Sequence, residues 1–526
     1  MIEVLLTSEQ GHKIASLDGV AFSDAPAEGP VVSIHPSKTR QVIEGIGSSF
    51  TESSAFVLAH LDPARRREVM RQIYGEEGAN FSLTRTHIGS CDFSVEGKYS
   101  YAELPDDAEL TSFSIEPDLR GFGTDLYPGI EEPQYDLLPM IQEALEIKRH
   151  QEDHELRIVA SAWSAPPWMK DIESWFIPGS EENSWQGDGG RLKPHYASTY
   201  ADYLVKYLDA YAAAGVDIWG LTPVNEPHGN GGQWESMHFS PQSQNEFIKR
   251  HLGPRLQRRE NSPKLLIYDQ NRDGLEEWTD LILGDPETAP YVYGAAVHWY
   301  ASTFKVYEET FERVQAKFPD CSIIHTEGCI DNLGVSAPAG IEDPDGYREQ
   351  GWFDNDAFWW NASATDWAYS ASWAGPAADD HPVYTPVHRY ARNIIVSLNH
   401  GVSGWIDWNV VLDREGGPNH VGNFCGAPIM IDTKTQQVYY TPIYYVLAQF
   451  SRTIRPGDLA IQTEISGSES LTQNLFASAS MNKERIVSVQ LLNTTKKSID
   501  FNLEIGAHRA AVTIPANAVQ TLRVQL

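Results

Sequence analysis

The central part of the chain alternates short apolar runs with longer segments of helical periodicity. Short apolar runs that end at Gly, Pro or polar turn residues are typical of buried strands. In the segment Tyr200–Ala214, the residues Leu204, Tyr207, Leu208 and Tyr211 recur at i, i+3, i+4 and i+7. This spacing predicts an amphipathic helix that packs one apolar face on a sheet. Two further helices are predicted at Pro63–Gly75 and Leu137–Lys148.

Eight apolar runs in the same region are candidate strands. Strands that alternate with helices favour a parallel sheet with helical cover, and eight of them fit a closed barrel. We therefore predict an α/β fold, a (β/α)8 TIM barrel. The candidate strands are Val42–Phe50, Phe81–Ile88, Leu156–Trp163, Ile218–Leu221, Leu265–Asp269, Ala295–Tyr300, Ser322–Glu327 and Trp405–Trp408.

The two ends of the chain have a different texture, with short alternating runs such as Val31–Ile34 and Ile486–Leu491. Such runs predict antiparallel strands. Neither end is large enough to fold alone, so we expect the two ends to combine in one β-sandwich. The predicted domains are residues 1–40 for the N-terminal sandwich strands, 41–440 for the catalytic barrel and 441–526 for the C-terminal sandwich strands.

Composition and charge limit the partners. The chain has 526 residues, of which 41% are hydrophobic, and a formal net charge of −32 at pH 7. A surface this acidic repels phosphate backbones, so we expect no nucleic-acid partner. The four cysteines are too sparse for a disulfide framework and lack zinc-type spacing. The N-terminus lacks the basic start and long apolar stretch of a signal peptide, and no run is long enough to cross a bilayer. We expect a cytoplasmic protein without integral membrane association, or a secreted one if a leader has been removed.

Two candidate strands end in a glutamate. The segment Leu221–Gly232 (LTPVNEPHGNGG) stops its apolar run at Asn225 and Glu226, and the segment Ser322–Cys329 (SIIHTEGC) stops its run at Glu327. Catalytic residues of (β/α)8 barrels lie at the C-terminal ends of the strands. Retaining glycosidases need two carboxyl groups about 5–5.5 Å apart, one as nucleophile and one as acid/base. On spacing alone, two unrelated loop glutamates remain an alternative.

Several segments of the chain resemble family 30 of the glycoside hydrolases, most closely its glucosylceramidase-like branch. They follow the family's order and together cover most of residues 41–450. The resemblance implies a barrel flanked by a β-sandwich made from both termini. The matching segments are Leu83–Ser94 (LTRTHIGSCDFS), Ser161–Lys170 (SAWSAPPWMK), Thr222–Pro227 (TPVNEP), Ala296–Tyr300 (AVHWY), His325–Cys329 (HTEGC) and Gly404–Phe424 (GWIDWNVVLDREGGPNHVGNF).

The resemblance also implies roles for individual residues. Glu226 matches the acid/base of the family and Glu327 matches its nucleophile. Asn225 matches the amide that binds the sugar's 2-hydroxyl, a contact that strengthens in the transition state. Arg85 and Tyr300 match groups that hydrogen-bond the nucleophile, and an arginine there favours its ionised form.

Five further positions match residues around the sugar. The resemblance implies that Asp92, Trp163, Trp408 and Asn423 line the glucose site and that Trp299 forms an aromatic wall near the scissile bond. From the residues alone the tryptophans have a second interpretation, because a tryptophan within an apolar strand is usually part of the core.

Histidines near three strand ends raise the question of a metal. His87, His298 and His325 lack the i, i+4 spacing of a helical metal motif. The resemblance implies catalysis without metal or other cofactor. We predict that these three residues are hydrogen-bonded interior histidines.

Between the seventh and eighth predicted strands lies an aromatic and acidic insertion, Trp352–Tyr384, which includes Trp359 and Trp360. Loops on this face of a barrel carry specificity, and tryptophans suit the binding of further sugar rings. A packed insertion or a contact in a homo-oligomer is the alternative.

We predict a retaining glycoside hydrolase that cleaves β-D-glucosidic bonds, a glucosylceramidase-like β-glucosidase whose partner is a β-glucoside or oligosaccharide. A β-1,6-glucanase or a β-xylosidase of the same family is the alternative. From other classes, a non-catalytic carbohydrate-binding protein and a metal-dependent hydrolase remain as rivals.

Overall fold

A computed structural model describes residues 1–23, 29–152, 154–302, 305–330 and 385–526. Within them, one eight-stranded sheet forms a barrel and one nine-stranded sheet combines both ends of the chain. The strands are β1 (Ile2–Ser8), β2 (Ala15–Val20), β3 (Val31–Val42), β4 (Gly45–Ser48), β5 (Leu83–Ile88), β6 (Arg157–Ala162), β7 (Gly220–Thr222), β8 (Lys264–Asn271), β9 (Gly294–His298), β10 (Ser322–Glu327), β11 (Val402–Asp407), β12 (Val411–Asp413), β13 (Ile429–Asp432), β14 (Gln437–Tyr440), β15 (Leu459–Ser466), β16 (Leu475–Met481), β17 (Ile486–Asn493), β18 (Ile499–Ile505), β19 (His508–Ile514) and β20 (Ala518–Gln525).

The predicted helices at residues 63–75, 137–148 and 200–214 are confirmed, with bounds that differ by three residues or fewer. Among the described residues, no helix has both the length and the apolar character needed to cross a membrane. The helices are α1 (Glu52–Ala59), α2 (Pro63–Tyr74), α3 (Leu137–Arg149), α4 (Ala197–Ala213), α5 (Pro241–Phe247), α6 (Gly253–Gln257), α7 (Leu275–Ile282), α8 (Glu308–Lys317), α9 (Thr385–Asn399), α10 (Pro442–Thr453) and α11 (Glu469–Thr472).

Strands β4 to β11 form the predicted barrel. Neighbours in the order β4-β11-β10-β9-β8-β7-β6-β5 are all parallel. The sheet closes where β4 meets β5, because the Ser82 N–H donates to the Ile46 carbonyl at 3.2 Å and the Phe50 N–H donates to the Arg85 carbonyl at 2.8 Å. The predicted (β/α)8 fold is therefore confirmed. Closure gathers the C-terminal ends of all eight strands at one mouth.

The barrel is a packed core and not a pore. Six of its strands each contribute one fully buried residue to an apolar cluster that is separate from the main core, as expected for a barrel interior filled by side chains. A functional site therefore has to lie above this layer, at the mouth. The cluster consists of Leu83, Val159, Leu266, Ala296, Ile324 and Ile406.

The predicted first barrel strand, Val42–Phe50, is wrong in its bounds. Val42 is the last residue of β3, which belongs to the other sheet, and β4 covers only Gly45–Ser48. Between the two strands, the Ile43 N–H donates to the Asp458 carbonyl at 2.8 Å. The segment is continuous in sequence, but it crosses from one sheet to the other at this point.

The nine-stranded sheet has the order β19-β18-β3-β15-β16-β17-β20-β1-β2. The N-terminal strand β1 pairs with β20, and β3 lies between β18 and β15, so neither end of the chain builds this sheet alone. Its two edges approach each other, because the Ser23 N–H after β2 donates to the Arg509 carbonyl of β19 at 2.8 Å. The rolled sheet encloses an apolar core of its own. The predicted sandwich from both termini is confirmed, whereas the boundaries at residues 40 and 440 stay a prediction.

Helix α10 connects the barrel to the sandwich through buried hydrogen bonds. On one side, Ser451 Oγ donates to the carbonyl of Ile46 in the barrel at 3.1 Å. On the other side, Gln449 accepts a hydrogen bond from Thr7 Oγ1 at 2.6 Å and donates to Thr521 Oγ1 at 3.0 Å, both in the sandwich. Unpaired polar groups in such a dry contact would be costly, so these bonds fix the orientation of the two parts.

The first barrel strand depends on a glycine. A Cβ at Gly47 would lie 2.0 Å from the carbonyl oxygen of Leu83 on β5, the strand across the closing seam. We expect Gly47→Ala to destabilise the protein by about 1–3 kcal/mol or more, because backbone of either strand must move. Gly123→Ala is the control, since a Cβ there has no neighbour within 4 Å. Urea unfolding of both variants measures the difference, and equal stability of the two would contradict the role of Gly47.

Candidate active site

A cavity of about 230 Å³ opens at the mouth of the barrel. The residues that line it come from loops and strand ends after β5, β6, β7, β8, β9, β10 and β11. Both candidate catalytic residues, Glu226 and Glu327, are among them, together with Asn225 and Tyr300. Four of the five residues that the family resemblance places around the sugar also line it, namely Asp92, Trp163, Trp408 and Asn423.

Arg85 lies beneath the cavity on β5 and is fully buried. Its Nη1 donates to Glu327 Oε2 at 2.6 Å, and its Nη2 donates to Asn225 Oδ1 at 2.6 Å and to Asp269 Oδ2 at 2.8 Å. Its Nε donates to Ser161 Oγ at 3.1 Å. A buried guanidinium requires such partners, and here it connects four barrel strands or their loops.

Glu327 ends β10 and has both carboxylate oxygens engaged. Oε2 accepts from Arg85, and Oε1 accepts from the Tyr300 hydroxyl at 2.9 Å. Burial raises the pKa of Glu327, whereas the cations of His298 and Arg85 act to lower it. The two hydrogen bonds hold the carboxylate in one orientation at the cavity wall.

Glu226 follows β7 in a left-handed backbone conformation, with φ of 48°. Its N–H donates to the Asp269 carbonyl at 2.9 Å, and its Oε1 lies 3.1 Å from Nδ1 of His298. Non-glycine residues rarely adopt this conformation, and such positions cluster at functional sites. The Glu226 side chain is 17% exposed against 8% for Glu327, so Glu226 is the more accessible of the two.

Asp269 is a site residue that the sequence analysis placed in a strand without singling out. It is fully buried next to a bulge in β8, and its Oδ1 accepts from Thr326 Oγ1 at 2.7 Å and from His298 Nε2 at 3.0 Å. Oδ2 accepts from Arg85 and from Thr222 Oγ1 at 2.7 Å. Although burial opposes ionisation, the cations of Arg85 and His298 hold the pKa of Asp269 well below its usual range. An acidic residue that ends the apolar run of β8 was the available signal.

His298 lies between two carboxylates, with Nδ1 facing Glu226 and Nε2 facing Asp269. Burial alone would lower its pKa, but the carboxylates of Glu327, Asp269 and Glu226 raise it to about 9. The ring is therefore an imidazolium near neutral pH, with both nitrogens donating.

The prediction of hydrogen-bonded interior histidines is confirmed for all three residues. His87 Nδ1 lies 2.6 Å from the Gly89 carbonyl, and its Nε2 accepts from the Glu52 N–H at 3.1 Å. His325 Nδ1 lies 3.2 Å from Nη2 of Arg272. His298 forms the contacts described above, and all three side chains are fully buried.

Glu226, His298 and Glu327 offer potential metal-ligand atoms that lie within 4.8 Å of one another. An imidazolium has no lone pair for a cation, because both ring nitrogens carry protons. Among the described residues, this trio is therefore better suited to holding a proton than to holding a metal ion.

One part of the cavity lining combines two polar and two aromatic residues. Asn423 Nδ2 donates to Asp92 Oδ2 at 3.3 Å. The rings of Trp163 and Trp408 are stacked, with centroids 5.3 Å apart and planes 21° apart. Burial, followed by the charge of Glu327, raises the pKa of Asp92 to about 8. The structure thus brings together all four residues that the family resemblance assigned to the glucose site.

Trp299 is not part of the cavity wall, and this expectation is corrected. Its side chain is 1% exposed and packs against the rings of Tyr390 and Trp405, with centroids 5.1 and 5.7 Å away. Its Nε1 donates to the Cys329 carbonyl at 3.1 Å. The ring lies behind the backbone that follows Glu327, because successive residues at the end of β9 point to opposite sides and Tyr300 takes the cavity side. The predicted aromatic insertion, Trp352–Tyr384, lies outside the described residues.

A closed parallel barrel with two facing glutamates in a polar and aromatic cavity is the arrangement of a glycoside hydrolase. The chain belongs to glycosyl hydrolase family 30. The family model described as Glycosyl hydrolase family 30 TIM-barrel domain matches residues 43–337 and 371–454, and the Glycosyl hydrolase family 30 beta sandwich domain matches residues 460–522. The family resemblance is confirmed, and the protein is a glycosidase.

Individual relatives have different names within this family. The chain is 29% identical over 468 residues to the Lysosomal acid glucosylceramidase of Mus musculus, covering 88% of this chain and 78% of the relative. It is 26% identical over 427 residues to the Endo-1,6-beta-D-glucanase of Neurospora crassa, covering 80% of this chain and 72% of the relative. Among solved structures, SrfJ from Salmonella typhimurium superimposes with a TM-score of 0.78 at 23% identity over 100% of both chains, which shows a shared fold.

The charge on His298 predicts a specific pH dependence of stability. Its pKa is about 9 in the folded protein, above the value near 6.5 of an unfolded chain, so its contribution is complete below pH 6.5 and is lost as the pH rises through 9. We expect the difference in free energy of unfolding between wild type and His298→Gln to shrink from pH 7 to pH 10 by about 3 kcal/mol. Denaturant unfolding at a series of pH values measures it.

His87→Gln is the matched control for this experiment. Burial lowers the pKa of His87 to about 4, so the ring is neutral in both folded and unfolded states above pH 7. The difference in free energy of unfolding between wild type and His87→Gln should therefore stay constant from pH 7 to pH 10. If the difference in free energy of unfolding between wild type and His298→Gln also stayed constant over this pH range, His298 would not be a buried imidazolium.

Proposed function

We propose that this protein is a retaining β-glucosidase in which Glu327 is the nucleophile and Glu226 is the acid/base. The observation that carries the proposal is the separation of the two carboxylates, since an oxygen of Glu226 lies within 4.8 Å of an oxygen of Glu327. Retaining enzymes need about 5–5.5 Å between the carboxyl groups, whereas inverting enzymes need about 6.5–9.5 Å to admit a water molecule. The short separation supports double displacement.

The surroundings of Glu327 suit a nucleophile. Arg85 and Tyr300 each donate to one carboxylate oxygen, and such bonds favour the ionised form and fix its direction of attack. In the first step, a carboxylate oxygen of Glu327 attacks the anomeric carbon, and the bond from that carbon to the aglycone oxygen breaks. The product of this step is a glucosyl ester of Glu327.

The surroundings of Glu226 suit a group that exchanges a proton with solvent. It is the more exposed carboxyl group of the pair, and it contacts the imidazolium of His298 on one side only. In the first step it gives its proton to the departing aglycone oxygen. In the second step it takes a proton from a water molecule that attacks the anomeric carbon and releases Glu327.

The orientation of Asn225 supports recognition of the sugar's 2-hydroxyl. Its Oδ1 accepts from Arg85 Nη2, so its Nδ2 is the atom left to donate into the cavity that the residue lines. The Asp92–Asn423 pair offers acceptors and donors to further hydroxyls, and the stacked Trp163–Trp408 pair offers an apolar face to the ring. A pyranose with several equatorial hydroxyls, such as β-glucose, matches this set.

A β-1,6-glucanase is the second candidate. The residues that line the cavity also include Asn230, Gln233, Gln270, Asn271 and Trp234. Amides beside an aromatic ring suit a second sugar better than a lipid chain, which would need an apolar approach. Both a glucosylceramidase and an endo-1,6-glucanase are named among the relatives, and a β-xylosidase would need the same catalytic pair. Location in the cytoplasm and a homo-oligomeric state stay predictions.

Two variants separate the roles of the glutamates. Glu226→Gln should lose about 10²–10⁴-fold in kcat/KM on an alkyl β-glucoside or gentiobiose, and much less on an activated aryl β-glucoside, whose leaving group needs little protonation. Glu327→Gln should reduce turnover of all these substrates to a trace, because an amide cannot form the covalent intermediate. The control is Glu277→Gln, which replaces an exposed glutamate on α7 and should leave kcat/KM unchanged on both kinds of substrate. Initial rates on both substrates give the comparison.

Equal losses of Glu226→Gln on the alkyl and aryl substrates would remove the acid assignment. Substantial activity of Glu327→Gln would remove the nucleophile assignment. Comparing gentiobiose and longer β-1,6-glucans with the aryl glucoside on wild-type enzyme decides between the two candidate functions, since an exo-acting β-glucosidase gains little from a longer chain.

A further inference from the structure

We propose that Glu235 and His420 form an ion pair that positions Asp92 and Asn423 for binding of the sugar. Neither member of the ion pair lines the cavity, so both act through the residues that do. This inference rests on the proposed function, because it concerns recognition of the sugar at the same site. Glu235 lies in the loop after β7, and His420 lies in the loop between β12 and β13.

Glu235 connects its loop to the loop that carries Asp92. It is fully buried, and its Oε1 accepts from Ser90 Oγ at 2.9 Å and from the Lys98 N–H at 2.6 Å. These two donors lie on either side of Asp92 in the segment that follows β5. A carboxylate with no solvent contact needs such partners. The charge of Glu235 therefore depends on the conformation of the segment after β5, and the carboxylate in turn stabilises that conformation.

His420 connects a third loop to the same two. Its Nε2 lies 2.9 Å from Glu235 Oε2, and its Nδ1 lies 2.9 Å from the carbonyl of Ser94. A carboxylate and a carbonyl can only accept, so both ring nitrogens must donate and the ring must carry two protons. Glu235 and Asp92 are the carboxylates that act on this imidazolium, and they raise the pKa of His420 against the effect of burial. Lys98 contacts Glu235 through its backbone N–H, whereas its side-chain ammonium lies over the ring of Phe176, 5.5 Å from the ring centroid.

The contact is tight enough to require a glycine. A Cβ at Gly97 would lie 2.4 Å from Cε1 of the His420 ring, and Gly97 has a φ of 66° that other residues rarely adopt. The ring therefore packs directly on the backbone of the segment after β5. This leaves little freedom for the loop of His420 to shift relative to that segment.

The loop of His420 also carries Asn423. Asn419 braces it from within, because its Nδ2 donates to the Asn423 carbonyl at 2.6 Å and its Oδ1 accepts from the Asn423 N–H at 3.0 Å. Asn423 then donates to Asp92 across the cavity wall at 3.3 Å. The ion pair thus fixes both ends of the Asp92–Asn423 contact, each through its own loop. The charge of His420 also acts to lower the pKa of Asp92.

A double-mutant cycle tests the proposal. Asp92→Ala, Glu235→Gln and the combined variant are compared with wild type on an aryl β-glucoside. Glutamine keeps the shape of Glu235 and can still accept from Ser90 and Lys98, but it removes the charge that binds His420. We expect Glu235→Gln to raise KM about tenfold or more with a much smaller change in kcat, because the lost sugar contact is made in ground state and transition state alike.

The combined variant distinguishes positioning from a merely structural role. If Glu235 acts through the Asp92–Asn423 contact, Glu235→Gln should raise KM less in the Asp92→Ala background, where that contact is already lost, than in wild type. Glu235→Asp, which keeps the charge, should restore part of the KM. The control is Asp285→Asn, which removes a carboxylate that accepts from Asn245 and Lys249 far from the cavity and should leave KM unchanged.

The positioning role would be overturned if the losses in kcat/KM of Asp92→Ala and Glu235→Gln simply added in the combined variant. A Glu235→Gln variant with a lower kcat but an unchanged KM would overturn it as well. The melting temperature of each variant is measured in parallel, because a fall in stability alone leaves the KM of the folded fraction unchanged. Wild-type enzyme that cleaves no β-glycoside would refute the proposed function and the inference with it. Wild-type turnover with additive losses would refute the inference alone.

Discussion

Arg85 carries a permanent charge at the centre of the barrel, where it has no exposure to solvent. A charge in such a place is tolerated only with close partners of opposite sign, and removing one partner of a buried pair costs several kcal/mol, about 3–5. Glu327 and Asp269 supply that opposite charge, and Asn225 and Ser161 accept two further hydrogen bonds. One side chain from β5 therefore holds Glu327 on β10, the Asn225 amide after β7 and the Asp269 carboxylate on β8.

The same constraint accounts for His298. Asp269, Glu226 and Glu327 would place three negative charges around one guanidinium, and the imidazolium of His298 adds the second positive charge. With all three carboxylates ionised, the cluster carries one net negative charge. The positive charges of His298 and Arg85 both act to lower the pKa of Glu327 against the effect of burial.

Much of this arrangement could be predicted from the sequence, because strand ends repeat a recognisable pattern. Glu226 and Glu327 each follow an apolar run, and their strands, β7 and β10, both belong to the barrel that the alternation of strands and helices predicts. Asp269 also ends the apolar run of its strand, but this pattern alone does not show that its carboxylate contacts Arg85. Trp299 was misplaced because a one-residue step along a strand reverses the side on which a side chain lies.

Other features depend on contacts between segments far apart in the chain. The split of the predicted strand at Val42 is decided by pairing with β15, a strand more than 400 residues later in the sequence. The ion pair of Glu235 and His420 joins two loops separated by 185 positions, and no local pattern marks either residue. Composition and periodicity predict which residues are buried, but they do not predict which charged side chains contact each other.

The most direct test of the account is to identify the carboxylate that becomes glycosylated. The enzyme is incubated with an activated 2-deoxy-2-fluoro-β-glucoside, which slows release of the intermediate, and the labelled peptide is mapped by mass spectrometry. The account predicts one fluoroglucosyl group per chain, attached to Glu327. A label on Glu226 or on any other residue, or normal turnover of β-glucosides without a covalent label, would contradict it.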